Sequence, residues 1–353
     1  MFNEILPRMC DIDPALKIDL LVSNDPLQPL PTHSRIKKIN LISTNASSFQ
    51  ERLWENFRRR AKEKLKKNLD SSADGKIWHS TYYTQPDQQY GAQVVTVYDM
   101  IYELYPEIFR GIGSDKFRDA KKQCILNADA VICISENTRN DLLNYYSIDA
   151  SKVSVVYLGF NSEFRLKRKN LKESTEKPYI LYVGSRAEYK GFNTLIEAYK
   201  KWPENNRIDL KVVGNNWSEN EDKYLSELRI KDKVHLRTDV DDRNLADLYK
   251  KASAFVYPSL YEGFGIPLIE SMACGCPVVA SRIPSTVEVA GDCPIYFEPA
   301  SVDDLVCALD LALNENKESE RIRLGFQHVK KYSWDATASQ TLKVYRTVNE
   351  LTK

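Results

Sequence analysis

The chain has 353 residues, of which 42% are apolar and 28% charged, a size that favours two domains over a single core. Its 50 basic and 49 acidic side chains leave a net charge of +1, which gives no reason to expect a nucleic-acid partner. Seven cysteines without a short-spaced framework favour a reducing, cytoplasmic compartment, and the sequence shows neither a signal peptide nor the roughly 20 consecutive apolar residues of a membrane helix.

The first half of the chain alternates short β-branched runs with helical patterns. This alternation predicts parallel strands joined by helices, and therefore a Rossmann-like domain over residues 1–160. The predicted strands cover residues 17–22, 38–43, 76–83, 93–98, 130–135 and 153–158, with helices over 116–127 and 136–146. Residues 161–178 are polar and charged, which is typical of a linker between domains.

The alternation restarts after this linker. Predicted strands cover residues 179–184, 210–214, 234–238, 252–257, 277–280 and 294–297, with helices over 192–202, 219–228, 243–251, 267–274 and 302–314. Six strands with intervening helices predict a doubly wound α/β domain over residues 179–331. Residues 332–353 have the pattern of an amphipathic helix with no following strand, and we expect this helix to cross back to the first domain.

The common strand order 3-2-1-4-5-6 would place the first and fourth strands of the second domain side by side. Open α/β sheets bind ligands in the crevice beyond the carboxyl ends of such neighbours, so the two loops that follow these strands should meet there. The residues that these loops and the next helix bring to the crevice are Gly184, Ser185, Arg186, Lys190, Glu262, Gly263, Phe264, Gly265, Ile266, Leu268 and Glu270.

The charges at this crevice predict the ligand. Arg186 and Lys190 would face a helix N-terminus that offers free amides, and together they favour a phosphate group. The two glycines of the second loop would let the backbone approach a ligand closely, and Pro267 suits the first helical turn. Glu262 and Glu270 would repel a phosphate, so we expect them to accept hydrogen bonds from sugar hydroxyls. A ligand with sugars beside phosphates is a nucleotide sugar.

Two motifs carry a resemblance to a known family. RAEYKG, residues 186–191, followed by YEGFGIPLIESMACGCPVV, residues 261–279, resembles the signature of glycosyltransferase family 4, the retaining enzymes of the GT-B fold. WHSTYY and VVTVYDMIYELYPEIF in the first half extend the resemblance over nearly the whole chain, especially toward bacterial mannosyltransferase-like members. The resemblance implies two Rossmann-like doubly wound domains that face a cleft with the active site.

The resemblance also implies a role for each charged residue of the crevice. Arg186 and Lys190 would bind the donor diphosphate, Glu270 the nucleotide ribose and Glu262 the donor sugar, with backbone amides over residues 264–268 contacting sugar and phosphate. It implies neither a metal nor a resident cofactor, because the cations and the helix terminus take the role of Mg²⁺. The donor would be a GDP- or UDP-hexose, with a weak preference for mannose. The acceptor would be a saccharide or a lipid-linked saccharide, whose hydroxyl would attack the donor sugar from the front face while the leaving phosphate helps to remove its proton.

Two departures from the family pattern leave a second function open. Relatives carry a strand and a glycine-rich loop before a helix like FNEILPRM, whereas this sequence starts at about that helix. Tyr98 stands before Asp99 where the family has a histidine near the donor sugar, and tyrosine does not titrate near neutral pH. The alternative is a catalytically impaired nucleotide-sugar-binding or scaffold protein of the same fold. On the acceptor side we expect Tyr98, Asp99 and His79, although His79 fits a packed structural histidine equally well.

Two groups of residues resemble metal sites in residue type and spacing. Asp239 and Asp241 have the spacing of a metal-binding acid pair, but they precede a helical pattern, which favours Asp241 or Asp242 as its N-cap. Cys274 and Cys276 lie too close together for an ordinary zinc half-site and have no partner pair, so we interpret them as small buried residues. No metal site is expected.

The basic segment RRRAKEKLKKNL, residues 58–69, predicts a solvated helix face. A lipid-linked acceptor would give this segment a second use as a peripheral contact with an anionic membrane surface, which we leave open. Ser135 fits a helix N-cap, with a secondary contribution to the acceptor cleft.

Overall fold

The computed structural model describes residues 1–22, 29–40, 76–86, 91–165, 177–315 and 319–351. Within these residues the strands form three parallel sheets of two, four and six strands. The chain is organised as two α/β units, as predicted, because parallel strands need crossover connections that place helices on the faces of a sheet. No helix in this described part of the chain has both the length and the apolar composition needed to span a bilayer.

The first unit contains the two smaller sheets. Its elements are α1 (Phe2–Ile12), β1 (Ile18–Val22), β2 (Ile36–Asn40), β3 (Ile77–Ser80), β4 (Ala92–Val97), α2 (Ile101–Leu104), α3 (Ile112–Asn127), β5 (Ala130–Cys133), α4 (Glu136–Tyr145) and β6 (Val153–Val155). β1 pairs with β2, and the larger sheet has the order β3-β4-β5-β6. The end of the strand predicted over 38–43 and the basic segment 58–69 lie outside the described residues.

The second unit is built on the six-stranded sheet. Its elements are β7 (Tyr179–Val183), α5 (Phe192–Lys201), β8 (Asp209–Val213), α6 (Glu219–Glu227), β9 (Val234–Arg237), α7 (Asp242–Lys251), β10 (Ala254–Tyr257), α8 (Ile266–Ala273), β11 (Val278–Ser281), α9 (Pro284–Ala290), β12 (Ile295–Phe297), α10 (Val302–Leu313) and α11 (Glu320–His328). The order β9-β8-β7-β10-β11-β12 confirms the predicted order 3-2-1-4-5-6. β10 and β11 are buried along their whole length, as expected for central strands covered on both faces.

The last helix, α12 (Trp334–Leu351), returns to the first unit. Val344 and Val348 pack with apolar residues of β4 and β5 in one core cluster, and the helix also contacts α1. The returning chain runs beside the outgoing one, since Trp334 Nε1 donates a hydrogen bond to Asn161 Oδ1 at 2.9 Å. The chain therefore passes between the units at two adjacent points.

One residue of the predicted linker, Phe164, packs into the core. Phe164 is fully buried, and its ring centroid lies 6.1 Å from that of Tyr249. The Cys274 thiol donates a hydrogen bond to the Phe164 carbonyl at 3.3 Å. One apolar side chain in this charged stretch thus anchors its start to the second unit. Residues 166–176 of the same stretch lie outside the described residues.

A buried ion pair lies beneath the loop that follows β4. The side chains of Glu103 and Lys121 are each 1% exposed, and Lys121 Nζ lies 2.7 Å from Glu103 Oε2. Lys121 also donates to the carbonyl of Asp99 at 2.6 Å, and the Tyr146 hydroxyl donates to Glu103 at 3.3 Å. Buried charges are tolerated when they are paired and hydrogen-bonded. The pair therefore fixes the backbone at Asp99, the point where the first unit faces the second.

Lys121→Met should lower the free energy of unfolding by about 3–5 kcal/mol, because the Glu103 carboxylate would stay buried without a partner. The double variant Lys121→Met with Glu103→Leu should recover much of this loss, which urea titration would measure. The control is Arg118→Met, whose partner Asp115 is 61% exposed, and it should cost less than about 1 kcal/mol. Equal losses in Arg118→Met and Lys121→Met would contradict this account of the buried pair.

Candidate active site

The two loops predicted to meet at the crevice are in direct contact. Strands β7 and β10 are neighbours, with Ile180 opposite Ala254. The basic loop, residues 184–191, follows β7, and the glycine loop, residues 258–265, follows β10. The carbonyl of Tyr189 in the basic loop accepts a hydrogen bond from the Leu260 amide at 2.7 Å. The strand order thus brings both loops to one edge of the sheet, as predicted.

Lys190 and Glu262 form an ion pair at the centre of this contact. Lys190 Nζ lies 2.7 and 2.8 Å from the two carboxylate oxygens of Glu262, and the Ser259 hydroxyl donates to Glu262 at 2.7 Å. The side chains of Lys190 and Glu262 are 21% and 10% exposed. Unlike charges that are partly desolvated stabilise each other, and the contact of Glu262 with a sugar hydroxyl stays a prediction. A phosphate bound to Lys190 would have to share it with Glu262.

Arg186 is held by the protein on several sides. Its guanidinium carbon lies 4.5 Å from the ring centroid of Trp217, and the guanidinium donates to the Glu221 carboxylate and to two backbone carbonyls of the loop after β8. Burial acts to raise the pKa of Glu221, but the hydrogen bonds from Arg186 and Ser218 lower it to about 2. Arg186 therefore ties the basic loop to the neighbouring loop, and its contact with a phosphate stays a prediction.

The glycine loop ends at the N-terminus of α8. Gly265 has a φ of 104°, which favours glycine, and Pro267 lies in the first turn as predicted. Phe264 and Leu268 are buried in the core, so these two predicted binding residues can offer a ligand only their backbone groups. The start of α8 thus adds a partial positive charge close to the Lys190–Glu262 pair.

Gly184, Ser185 and Ile266 complete the predicted set. A Cβ placed on Gly184 would have no heavy atom within 4 Å apart from its chain neighbours, so there is open space beside this residue. Ser185 is exposed, and its carbonyl accepts a hydrogen bond from the Tyr182 hydroxyl at 2.5 Å. Ile266 is the first residue of α8 and is partly buried. The space at Gly184 is compatible with a ligand group beside the basic loop.

Glu270 lies one turn into α8, where its surroundings favour the protonated form. Burial raises the pKa of this carboxyl from 4.5 to about 8, the charge of Asp242 adds to the shift, and the Tyr249 hydroxyl opposes it. Asp242 in turn accepts a hydrogen bond from Asn161 at 2.6 Å. A neutral carboxyl can donate and accept, whereas an ionised one only accepts, so Glu270 suits contact with hydroxyl groups in either form.

Gly263 packs directly against the first unit. A Cβ at this position would lie 1.8 Å from the carbonyl oxygen of Tyr98, so no other residue fits without movement. The Gly263 carbonyl accepts hydrogen bonds from the Ser135 hydroxyl at 2.6 Å and from the Thr138 hydroxyl at 3.3 Å. The close approach that we predicted for a ligand is here an approach between the two units. Ser135 also caps α4, as predicted.

Two further contacts join the units beside this glycine. The carboxylate of Glu288 on α9 accepts hydrogen bonds from the first two backbone amides of α4 at 2.7 and 2.8 Å. Free amides at a helix start favour a carboxylate partner. The Tyr261 hydroxyl donates to Asp141 at 2.8 Å and accepts from the Met100 amide at 3.0 Å. The glycine loop and α9 thus hold the second unit against the first.

Tyr98 and Asp99, predicted on the acceptor side, lie at this junction. The Tyr98 hydroxyl donates to the Thr81 carbonyl at 3.2 Å, and burial raises its pKa, so the hydroxyl stays protonated near neutral pH. Asp99 is partly exposed, and one of its carboxylate oxygens accepts from the Ile101 amide at 3.1 Å. Both residues are partly exposed at the junction, and their contact with an acceptor stays a prediction.

His79 is packed among other side chains. Its Nδ1 lies 2.5 Å from the Tyr345 hydroxyl, its Nε2 lies 2.8 Å from Thr96 Oγ1, and its ring makes an edge contact with Phe2. Burial lowers the pKa of His79 to about 3, so the ring is neutral at neutral pH. These contacts favour the structural interpretation of His79 over a role on the acceptor side.

The residues that resemble metal sites have structural roles instead. Asp241 caps α7 by accepting a hydrogen bond from the Asn244 amide at 2.8 Å, as predicted. Cys274 and Cys276 are buried, and burial raises the pKa of the Cys274 thiol to about 12. Among the residues that the structure describes, no three His, Cys, Asp or Glu side chains come together as a metal site requires.

Three residues that hold the crevice or the junction of the units were not predicted from the sequence. Ser259 stands three residues before Glu262, and that spacing could have indicated it. Glu221 and Glu288 act on groups far away in the chain, so no local pattern marks them and only the fold brings them to their partners.

Two family models match adjoining parts of the chain. The model described as Glycosyltransferase Family 4 matches residues 77–164, and the model described as Glycosyl transferases group 1 matches residues 163–324. Together they cover most of both units and include every charged residue of the crevice. The chain belongs to the family 4-like glycosyltransferases. The resemblance carried by its two motifs is thereby confirmed.

Relatives of this glycosyltransferase include enzymes named as mannosyltransferases. It is 32% identical over 207 residues to O-antigen chain mannosyltransferase RfbU of Salmonella typhimurium, covering 59% of this chain and 57% of that protein. It is 27% identical over 285 residues to O-antigen chain mannosyltransferase B of Escherichia coli, covering 76% and 74%. The chain thus spans little more than half the length of the first of these relatives.

Solved structures share the fold of this glycosyltransferase. Sucrose-phosphate synthase from Thermosynechococcus elongatus has a TM-score of 0.77 and 21% identity, covering 97% of this chain and 91% of that one. HepE from Anabaena in complex with UDP-glucose has a TM-score of 0.69 and 14% identity, covering 94% and 99%. At such identities the likeness shows the fold, and it confirms the predicted GT-B architecture.

The pKa of Glu270 predicts how the stability of this glycosyltransferase depends on pH. The folded state keeps this proton up to about pH 8, whereas the unfolded chain releases it near 4.5. The free energy of unfolding should therefore fall as the pH rises from about 4.5 to about 8. The fall should be on the order of 2 kcal/mol, because each pKa unit corresponds to about 1.4 kcal/mol and partial exposure reduces the full effect.

Glu270→Gln should remove this component of the pH dependence. Urea titrations at pH 5 and pH 8 would give the two free energies of unfolding for each protein. Glu219→Gln, at an exposed position of α6, is the control and should keep the wild-type difference. A Glu270→Gln variant with the wild-type difference between the two pH values would contradict a protonated Glu270.

Proposed function

We propose that this glycosyltransferase transfers a hexose from a nucleotide sugar to a saccharide or lipid-linked saccharide, with retention of configuration and without a metal ion. The proposal rests on the convergence of Lys190, Glu262 and the α8 N-terminus at one edge of the second sheet, with Glu270 one turn further along. A cation and a helix terminus suit phosphate, and carboxyl groups suit sugar hydroxyls. A nucleotide sugar presents both kinds of group.

The donor diphosphate would lie between the basic loop and the start of α8. Lys190 is 21% exposed, so a phosphate can reach it and take over part of its interaction with Glu262. Glu262 would then accept a hydrogen bond from a hydroxyl of the donor sugar. Arg186 would support the basic loop from behind, and it would reach the phosphate only after release from Glu221.

The same groups would promote the reaction. Cleavage of the anomeric C–O bond leaves the nucleoside diphosphate with additional negative charge, which Lys190 and the α8 amides would stabilise in the transition state. The transferred sugar gains oxocarbenium character. The acceptor hydroxyl would attack on the face from which the phosphate leaves, and the leaving phosphate would take its proton. This route gives retention without a protein nucleophile.

The relatives support mannose as the first sugar to test. The two described above are named for mannosyl transfer to O-antigen chains. HepE, which shares the fold, was crystallised with UDP-glucose. GDP-mannose and UDP-glucose are therefore the donors with which to begin, and a polysaccharide or its lipid-linked precursor is the acceptor class.

Tyr98 favours a second candidate function, a nucleotide-sugar-binding protein with little turnover. Its hydroxyl donates to the Thr81 carbonyl, and burial raises its pKa, so the hydroxyl stays protonated near neutral pH. Tyr98 belongs to the first unit and touches the glycine loop through its carbonyl at Gly263, whereas the charged donor residues belong to the second unit. The two candidate functions therefore differ in turnover and share the donor site.

Calorimetric titration with UDP, GDP and ADP, each in EDTA and then in Mg²⁺, tests the donor site. Binding of one nucleotide in EDTA would support the site and indicate the donor class. Assays with the matching hexose donor then separate the two candidates, because turnover supports a transferase and binding without turnover supports the second function. Failure of all three nucleotides to bind would overturn both.

Lys190→Met should weaken binding of the nucleoside diphosphate at least about tenfold, because a hydrogen bond to a charged group contributes roughly 1.5–3 kcal/mol. Lys201→Met is the matched control, since Lys201 forms an exposed ion pair with Asp303 on the same unit. Calorimetry should give the control the wild-type affinity. Unchanged affinity in Lys190→Met would remove Lys190 from the donor site.

Glu262→Ala and Glu270→Ala should separate turnover from binding. Glu270→Ala should weaken nucleotide affinity about tenfold, because contacts with the ribose are lost. Glu262→Ala should keep that affinity and lower turnover at least about 100-fold, because the donor sugar loses its partner. Titrations and initial rates would be measured on the same preparations. Normal binding and turnover in both variants would show that the site lies elsewhere.

A further inference from the structure

A row of aromatic rings leads from the surface of the first unit to the basic loop. The aromatic row consists, in spatial order, of Tyr82, Phe117, Tyr102, Phe109 and Tyr189. Consecutive ring centroids lie 5.6, 4.5, 4.2 and 6.0 Å apart. The first four rings belong to the first unit and the last to the basic loop, so the row crosses from one unit to the other.

The row connects solvent with the candidate donor site. At its inner end, Lys190 Nζ lies 5.1 Å from the ring centroid of Tyr189. At its outer end, Tyr82 is 62% exposed, although its ring is in contact with Tyr83 at 5.4 Å and with Phe117. An exposed ring that its neighbours hold in place offers a flat binding surface, and little side-chain entropy is lost when a ligand covers it.

Polar groups border the row. Asp99 lies at the junction of the two units, where its Cβ is 3.2 Å from the position of a Cβ built on Gly263, the residue next to Glu262. One oxygen of Asp99 accepts from the Ile101 amide at 3.1 Å, and Asp99 remains partly exposed. The row itself carries three phenolic hydroxyls. Its surroundings therefore combine ring faces with hydrogen-bonding groups.

We infer that the aromatic row is a saccharide subsite that holds sugar rings of the acceptor. This inference rests on the proposed function, since it makes the row the acceptor side of the same cleft. A sugar ring has an apolar face of C–H groups that packs on an aromatic ring, and hydroxyls at its edge that a carboxylate accepts. Tyr82 holds a sugar remote from the reacting hydroxyl, and Asp99 binds a hydroxyl of a sugar nearer Lys190.

The other occupant to weigh is the polyisoprenyl chain of a lipid-linked acceptor. A long apolar chain needs a broad apolar surface. Tyr82 is the one ring of the row that is mostly exposed, and the row ends beside Lys190, whose partner Glu262 is the neighbour of Gly263, against which Asp99 packs. Charged groups along the path favour a ligand rich in hydroxyls over a hydrocarbon.

Saccharide binding tests the inference directly and needs no turnover. Mannotriose and maltotriose would be titrated by saturation-transfer NMR into the whole chain and into Tyr82→Ala, Tyr82→Phe and Tyr145→Ala. Tyr145 is the matched control, since it is 50% exposed on the same unit and contacts Tyr146. Tyr82→Ala should bind the preferred trisaccharide at least about fivefold more weakly, whereas Tyr82→Phe and Tyr145→Ala should stay within about twofold of wild type.

Two results would overturn the inference. One is equal trisaccharide affinity in Tyr82→Ala and wild type, when both have the same thermal unfolding curve. The other is a wild-type chain that binds neither trisaccharide. This result would overturn the inference even if the chain binds a short-chain polyisoprenyl phosphate through Tyr82.

The rate of donor hydrolysis, measured without acceptor, distinguishes a failure of this inference from a failure of the proposed function. Tyr82→Ala should hydrolyse donor as wild type does, and a selective loss of saccharide binding supports the row even if neither protein cleaves a donor.

Discussion

The contact between Gly263 and the backbone of Tyr98 determines how the two units of this glycosyltransferase meet. No side chain fits at residue 263, so the glycine loop lies directly on the first unit, where Ser135 and Thr138 bind its carbonyl. The groups assigned to the donor lie on the same loop or on its immediate neighbours. Their positions therefore depend on a backbone contact, which varies less than a contact between side chains, and catalysis by charge stabilisation needs such fixed positions.

The charged groups of the crevice are paired with each other. Glu262 neutralises Lys190, Glu221 neutralises Arg186, and burial keeps a proton on Glu270. A nucleotide sugar would enter such a site by exchange, since its phosphate takes over a cation while the carboxylate turns to a hydroxyl. Because the fold has already brought these charges together and partly removed their water, the ligand would have to compete with these pairs for its own partners.

The sequence predicts the strands, their order and the two crevice loops, because apolar alternation and breaks at glycine and proline are local properties. Pro267 in the first turn of α8 is an example. Contacts between residues that lie far apart in the chain cannot be predicted in this way. The sequence shows that Arg186 is charged, but only the fold shows that Glu221 and Trp217 hold it. At Gly263 the need for a glycine was predictable, whereas the backbone that imposes it belongs to the other unit.

Helix α12 follows the second unit in the chain but packs on the first, where Val344 and Val348 complete the core begun by β4 and β5. A ribosome releases the strands of the first unit long before it releases this helix. The four-stranded sheet must therefore persist with part of its core uncovered while the second unit is made, and exposed sheet surface of this kind favours aggregation. The first unit is thus synthesised before the second, but its core is completed only after the second unit has been made. The time between the emergence of β4 and the docking of α12 is the period in which a newly made chain depends most on chaperones.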